Sequence, residues 1–113
     1  MEENKKLRIF VVCSYALSSS LLADKMNKHA QETGQYDVEA RYIRPDEVQE
    51  FMHECDVVLL SPQIRFNKNM LQQLLEPARI PVIDLPMQVY GLADAEAAIA
   101  LARKVYEESG SKE

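Results

Sequence analysis

The chain has 113 residues, of which 47% are hydrophobic, and its formal net charge is −5. This size suits one compact domain, expected over residues 1–113 with its core at roughly 7–107. The basic residues are scattered, no apolar run of about 18 residues occurs, and the N-terminus lacks the apolar region of a signal peptide, so we expect no nucleic-acid partner, no direct membrane insertion and a cytoplasmic location.

Strand-sized apolar runs alternate with helical patterns along the chain. Apolar residues spaced three and four apart follow each run and predict helices that face a core. The runs are Leu7 to Val12, Val38 to Ile43, Val57 to Leu60 and Pro81 to Leu85; the helical stripes are Leu17, Leu21, Leu22, Met26 and Ala30, then Val48, Phe51, Met52 and Cys55, then Met70, Leu71, Leu74 and Leu75, and finally Ala95, Ala98, Ile99, Ala102, Val105 and Tyr106.

Turn-forming residues separate these segments. Gly34 stands where the first helix needs a left-handed C-terminal residue, Pro45 suits a first helical turn, and Pro77 ends the third helix. Strand and helix therefore alternate four times, which predicts an α/β fold with a parallel sheet and helices on both faces.

The two cysteines, Cys13 and Cys55, are expected to be free thiols. They lack metal-ligand spacing with the two histidines, and no cofactor is expected. Cys13 follows the first strand, at the sheet edge where such folds bind ligands. Free N–H groups at the start of the next helix favour an anion and lower the pKa of a nearby thiol.

The segment after Cys13 could bind a phosphate group. Hydroxyl groups from four serines add to the backbone donors: Ser14, Ser18, Ser19 and Ser20. A structural interpretation is equally consistent with position and composition, because free cysteines are often buried and serines often cap helices. The pattern leaves both interpretations open.

Three segments resemble the enzyme IIB domains of the bacterial sugar phosphotransferase system, lactose/cellobiose class. They are CSYALSSSLL at residues 13 to 22, DVVLLSPQI at 56 to 64 and VIDLPMQVYGLAD at 82 to 94. The resemblance implies a four-stranded parallel sheet in the order 2-1-3-4. It also implies that Cys13 takes a phosphoryl group from a phosphohistidine of enzyme IIA and passes it to a cellobiose-, chitobiose- or lactose-like sugar on the membrane enzyme IIC.

By the same resemblance, the phosphate is held by the residues that follow the cysteine: Ser14, Tyr15, Ala16, Leu17, Ser18, Ser19 and Ser20. Three of them depart from the family's usual loop, which has a small residue in place of Tyr15 and Gly and Met in place of Ala16 and Leu17. A Cβ at residue 16 restricts the backbone near the phosphate. Ser61, where the family commonly has glycine, is interpreted as a minor change.

Two alternative functions compete with that of a phosphocarrier. A low-molecular-weight cysteine phosphatase or an arsenate reductase-like enzyme uses the pattern C-x5-R, in which the arginine stabilises the transferring phosphoryl group. Ser19 occupies that position here. The other alternative, a non-catalytic regulatory or binding domain, is supported by the departures at Tyr15 and Ala16.

For most of the remaining polar residues, the sequence favours a structural or solvent-exposed role over a functional one. Cys55 is predicted to be a core thiol, and His29, His53 and Asp24 to lie on the surface. Positive potential could reach the site from Arg65 and Lys68, although solvated loop charges are the simpler prediction. A docking rim could involve Asp84, Tyr90, Gly91 and Asp94, or else Tyr90 and Gly91 form a turn and Asp94 caps the last helix.

Overall fold

The computed structural model describes residues 6–14 and 16–108, without the side chains of residues 16–18. Within these described residues, four strands form one parallel sheet: β1 (Leu7–Val12), β2 (Val38–Ile43), β3 (Val57–Leu60) and β4 (Val82–Asp84). Their order is β2-β1-β3-β4, which is the predicted order. The central strands β1 and β3 are almost wholly buried, as continuous apolar runs require when helices cover both faces.

In the part of the chain that the structure describes, five α-helices connect and follow the strands. They are α1 (Ala16–Glu32), α2 (Val48–Phe51), α3 (Lys68–Leu75), α4 (Met87–Gly91) and α5 (Ala95–Glu108). Two of them differ from the sequence-based expectation. The second helix is a single turn between short 3-10 segments, and α4 replaces the turn expected at Tyr90 and Gly91.

Side chains alternate between the two faces of the sheet and divide the core in two. One half packs α1 and α5 against Ile9, Val11 and Leu59. The other half packs α2 and α3 against Phe10, Val12 and Leu60. Helices on both faces are thereby confirmed.

Among the stripe residues whose side chains are described, the predictions were wrong at two positions. Leu21 is 50% exposed and Met70 is 53% exposed. In each case the next residue, Leu22 or Leu71, is fully buried. Successive helical residues lie about 100° apart, so only one member of an apolar pair points directly at the sheet.

The predicted helix ends are confirmed. Gly34 has a φ of +79°, and the N–H of Gln35 donates to the carbonyl of Ala30 at 2.7 Å, which closes the last turn of α1. Pro45 is the first residue of a 3-10 turn after β2. Pro77 lies in the 3-10 turn that directly follows α3.

Asn27 on α1 satisfies the backbone of the edge strand β2. Its amide nitrogen donates to the carbonyl of Ala40 at 2.9 Å, and its oxygen accepts from the N–H of Ala40 at 2.8 Å. We expect Asn27→Ala to lower the free energy of unfolding by about 1–3 kcal/mol, because both backbone groups lose their partner. Urea unfolding measures this loss. Asn69→Ala, on the exposed side of α3, controls for helix propensity, and equal stability of the two variants would contradict the prediction.

An ion pair ties α5 to the start of β2. The guanidinium of Arg103 donates to Asp37 at 2.9 Å and lowers the pKa of that carboxyl below its usual value. The pair stabilises the fold at pH values above the unfolded-state pKa of about 4, and this stabilisation is lost as the pH falls through the folded-state pKa.

Asp37→Asn should therefore reduce the free energy of unfolding at neutral pH and leave a smaller difference from wild type in acid. Both carboxyl and guanidinium are partly exposed, so the effect is below about 1 kcal/mol. Paired urea titrations at pH 7 and about pH 3 measure it. A deficit that grows in acid would have the opposite sign to the one expected.

Candidate active site

Cys13 lies one residue beyond β1, at the carboxyl edge of the sheet. Its N–H donates to the carbonyl of Ile43 at the end of β2, at 3.2 Å, and the N–H of Ser61 at the end of β3 donates to Val12 at 3.0 Å. These bonds hold the cysteine between the ends of two neighbouring strands. The residue is 0% exposed.

The sulfur of Cys13 meets polar groups from distant parts of the chain. It donates to Oε1 of Gln63 at 3.5 Å and lies 3.5 Å from the hydroxyl of Tyr90. That hydroxyl also contacts Ser19 Oγ at 3.3 Å and donates to Gln63 Oε1 at 3.4 Å. We call these four residues, Cys13, Ser19, Gln63 and Tyr90, the Cys13 cluster.

Local structure brings Gln63 and Tyr90 to the thiol. Ser61 Oγ accepts from the N–H of Gln63 at 3.2 Å and so caps the 3-10 segment Pro62–Asn67 that carries Gln63. The N–H of Leu85 donates to Leu60 at 2.8 Å and aligns the end of β4 with β3. Helix α4 starts two residues later and turns Tyr90 back towards Cys13.

The predicted phosphate-binding residues occupy several environments. Ser14 is exposed and Tyr15 lies outside the described residues. Ala16, Leu17 and Ser18 start α1, but their side chains are also outside the description. Ser19 is buried in the Cys13 cluster, and Ser20 is half-buried. Because α1 begins at Ala16, its first N–H groups, which have no acceptor within the helix, follow Cys13 closely.

Gln63 and Tyr90 were not predicted as contacts of the thiol. In the sequence, Gln63 belongs to the DVVLLSPQI match, and Tyr90 to the VIDLPMQVYGLAD match and to a docking rim or a turn. The signal available in the sequence was position, because both follow the carboxyl ends of strands that lie at the same edge as Cys13. Ser61 was interpreted as a minor change from glycine, but its hydroxyl caps and so positions the segment that carries Gln63.

Cys55 is the core thiol that was predicted. It is buried at the start of β3, and its Sγ donates to the carbonyl of Val57 at 3.3 Å. Burial, followed by the negative charge of Asp56, raises the pKa of this thiol to about 12. Neither Cys13 nor Cys55 is part of a disulfide. Cys55 is thus protonated and unreactive near neutral pH.

The other polar residues singled out from the sequence are either at least partly exposed to solvent or bonded to neighbouring groups. Asp24 and His53 are exposed as predicted, and His29 is half-buried. Asp94 accepts from the N–H of Ala97 at 3.1 Å and caps α5. Arg65 is exposed. Lys68 forms an ion pair with Asp84 at the end of β4, with 3.5 Å between the ammonium nitrogen and the carboxylate oxygen, so the carboxylate partly neutralises the charge of Lys68.

This fold and site define a class: small parallel α/β domains that carry a thiol between the first strand and the first helix. Residues 8–101 match the family model "PTS system, Lactose/Cellobiose specific IIB subunit". The oligo-β-mannoside-specific EIIB component of Bacillus subtilis (strain 168) is 36% identical over 80% of this chain and 87% of its own length. The galactose-specific EIIB component of Lactococcus lactis subsp. cremoris (strain MG1363) is 30% identical over 86% and 94%.

A solved structure agrees with these sequence matches. The cellobiose-specific phosphotransferase IIB component of Borrelia burgdorferi superposes with a TM-score of 0.76 at 29% identity, over 92% of this chain and 94% of that one. The chain belongs to the lactose/cellobiose-specific IIB family of the phosphotransferase system. It is a sugar-specific phosphotransferase component. None of the helices in the described ranges is long and apolar enough to cross a membrane.

Proposed function

We propose that Cys13 is the residue that carries the phosphoryl group. The sulfur attacks the phosphorus of a phosphohistidine on enzyme IIA, so that the S–P bond forms as the P–N bond breaks. The thiol proton ends on the released imidazole nitrogen. In the second transfer a hydroxyl of the sugar bound to enzyme IIC attacks the phosphorus, the S–P bond breaks, and the hydroxyl proton returns the cysteine to its thiol form.

The single observation that supports this role best is the polar surrounding of the Cys13 sulfur at the carboxyl edge of the sheet. A cysteine kept only for packing would lie among aliphatic side chains, as Cys55 does in its half of the core. Cys13 instead contacts an amide and a phenol within the Cys13 cluster. The start of α1 adds N–H groups and a dipole that favour a negatively charged sulfur or phosphate.

The donors proposed for the phosphate are the backbone and hydroxyl groups of residues 14 to 20. Ser14, Ser18, Ser19 and Ser20 supply hydroxyls, and Tyr15, Ala16 and Leu17 supply N–H groups. Such neutral donors can hold a phosphate dianion without activating water. The buried Ser19, hydrogen-bonded to Tyr90, takes the place of the arginine of a C-x5-R enzyme. This favours a carrier over a phosphatase.

The sugar is proposed to be a β-linked disaccharide or short oligosaccharide. The relative from Bacillus subtilis is named for an oligo-β-mannoside, and the Borrelia structure is named for cellobiose. We place the protein on the cytoplasmic side of the membrane, where it would meet enzyme IIA and then enzyme IIC.

Intact-mass measurement tests the proposal. The protein is incubated with phosphoenolpyruvate, the general phosphotransfer proteins and the cognate enzyme IIA. The expected result is the added mass of one phosphoryl group, which peptide mapping assigns to the peptide that contains Cys13. Release of phosphate from an aryl ester would support a phosphatase instead. No uptake and no release would support a binding domain, and both of these outcomes contradict the proposal.

A further inference from the structure

The sulfur of Cys13 is covered by polar side chains rather than open to solvent. It has no exposed surface, and Gln63 and Tyr90 both touch it at 3.5 Å. Gln63 is an exposed residue and Tyr90 is half-buried. Because a phosphorus atom has to reach the sulfur from outside, groups that cover the thiol have to change position or hydrogen-bonding partner during the reaction.

The side-chain oxygen of Gln63 accepts hydrogen bonds from three donors. Cys13 Sγ donates to it at 3.5 Å, Ser61 Oγ at 3.5 Å and the Tyr90 hydroxyl at 3.4 Å. An amide oxygen can only accept. The arrangement therefore fits a protonated thiol that gives its hydrogen to Gln63, and it is unfavourable for a negatively charged sulfur facing the same oxygen.

The Tyr90 hydroxyl, unlike the Gln63 oxygen, can donate a hydrogen bond to the sulfur. It lies between Sγ of Cys13 and Oγ of Ser19 and has one hydrogen that can rotate towards any of its neighbours. When the thiol has lost its proton, or carries a phosphoryl group, a donor in this position gains a charge-assisted hydrogen bond. The neutral thiol does not require it.

We propose that Gln63 and Tyr90 form a pair that reverses its hydrogen bonds when Cys13 changes state. In the resting protein Gln63 accepts from the thiol and from Tyr90. As the thiol proton leaves for the histidine of the phosphoryl donor, Tyr90 turns its O–H to the sulfur and then to an oxygen of the bound phosphoryl group. The Gln63 amide rotates by half a turn, so that its NH2 faces the new charge.

The inference rests on the proposed role of Cys13 and adds two residues to the phosphate-binding set. It also explains the position of Ser61. By capping the segment before Gln63, Ser61 keeps the amide within reach of the sulfur, so Ser61 is a positioning residue. Gln63 follows β3, and Tyr90 lies on α4, which follows β4.

Tyr90→Phe tests the phenol, because it removes the hydroxyl and keeps the ring. In a Cys55→Ser background, we expect phosphoryl uptake from enzyme IIA to slow at least about tenfold, the usual effect of losing one hydrogen bond to a charged group. We also expect the midpoint of the pH profile for iodoacetamide alkylation of Cys13 to move upwards. Tyr36→Phe is the matched control, since Tyr36 is 74% exposed on the connection before β2.

Other titratable groups near the thiol are unchanged by this substitution. Tyr42 on β2 interacts electrostatically with Cys13, and the pKa of its phenol is raised mainly by burial. Its hydroxyl has no hydrogen-bond partner among the described residues. Arg44, Asp46 and Glu47 follow β2. Lys68 at the start of α3 pairs with Asp84, the last residue of β4. Both variants keep these groups, so a shift of the midpoint in Tyr90→Phe alone reports the lost hydroxyl.

Gln63→Glu tests the amide and does not disturb the core, because Gln63 is exposed. A carboxylate accepts but cannot donate, and it repels a thiolate or a phosphoryl dianion. We expect at least about tenfold slower uptake and an upward shift of the alkylation midpoint. The same charge change in Gln73→Glu, on the exposed side of α3, should have neither effect.

The outcomes separate this inference from the proposed function. If the wild-type protein takes up no phosphoryl group, the proposed function fails. If it is phosphorylated on Cys13 but Tyr90→Phe and Gln63→Glu match their controls in uptake and in alkylation midpoint, the reversal of hydrogen bonds is wrong and the role of Cys13 stands. Should Tyr90→Phe fold poorly, the Gln63→Glu pair decides the matter alone.

Discussion

Cys13→Ser is expected to abolish phosphoryl uptake from enzyme IIA. The hydroxyl of serine fills nearly the same space and can make the same hydrogen bonds to Gln63 and Tyr90, so the fold and the site are retained. A serine hydroxyl ionises far less readily than a thiol and is a weak nucleophile without a general base beside it. Intact-mass spectrometry after incubation with the phosphoryl donor measures the effect.

Cys55→Ser is the matched control for this substitution. Serine can keep the hydrogen bond that Cys55 donates to the carbonyl of Val57, and Cys55 lies at the amino end of β3, away from the edge that carries Cys13. We expect this variant to take up one phosphoryl group as the wild type does. Uptake by Cys13→Ser, or loss of uptake in Cys55→Ser alone, would contradict the assignment of Cys13 as the carrier residue.

Leu59→Ala is expected to lower the free energy of unfolding by about 3 to 5 kcal/mol. Leu59 is the third residue of the central strand β3, is 0% exposed, and belongs to the half of the core that α1 and α5 cover. Removing its side chain loses the transfer free energy of three carbons and leaves a cavity that neighbouring strands on both sides cannot fill. Urea unfolding followed by circular dichroism measures the change.

Leu92→Ala provides the comparison, because Leu92 is 75% exposed just after α4. The same chemical change should there cost less than about 0.5 kcal/mol. Similar losses in the two variants would mean that β3 is not the centre of the core. A cost of about 3 kcal/mol or more for Leu59→Ala alone agrees with the arrangement of the sheet.

Much of the fold could be predicted because its signals are local. An uninterrupted apolar run such as Val57 to Leu60 suits a strand buried on both faces, and β3 occupies those residues. Gly34 marks the end of α1 because few other residues adopt a positive φ without strain. The order of the strands came from the family resemblance, since periodicity alone does not specify which parallel strands are neighbours.

Local patterns failed where burial depends on the packing of neighbouring elements. Leu21 and Leu22 are equally apolar, yet only Leu22 faces the sheet, because the direction in which α1 packs selects one side of the helix. The short helix α4 was missed since its five residues carry too little periodicity to be distinguished from a turn.

The candidate site also has features that the sequence could predict and features that it could not. The sequence by itself determined the position of Cys13 after a strand and before a helix, the serines that follow it, and the absence of arginine at residue 19, because each of these is a matter of neighbouring residues. Only the tertiary structure decided that Gln63, 50 residues away, and Tyr90, 77 residues away, meet the sulfur. The physical reason is that parallel strands bring their carboxyl ends to one edge of the sheet, whatever their separation along the chain.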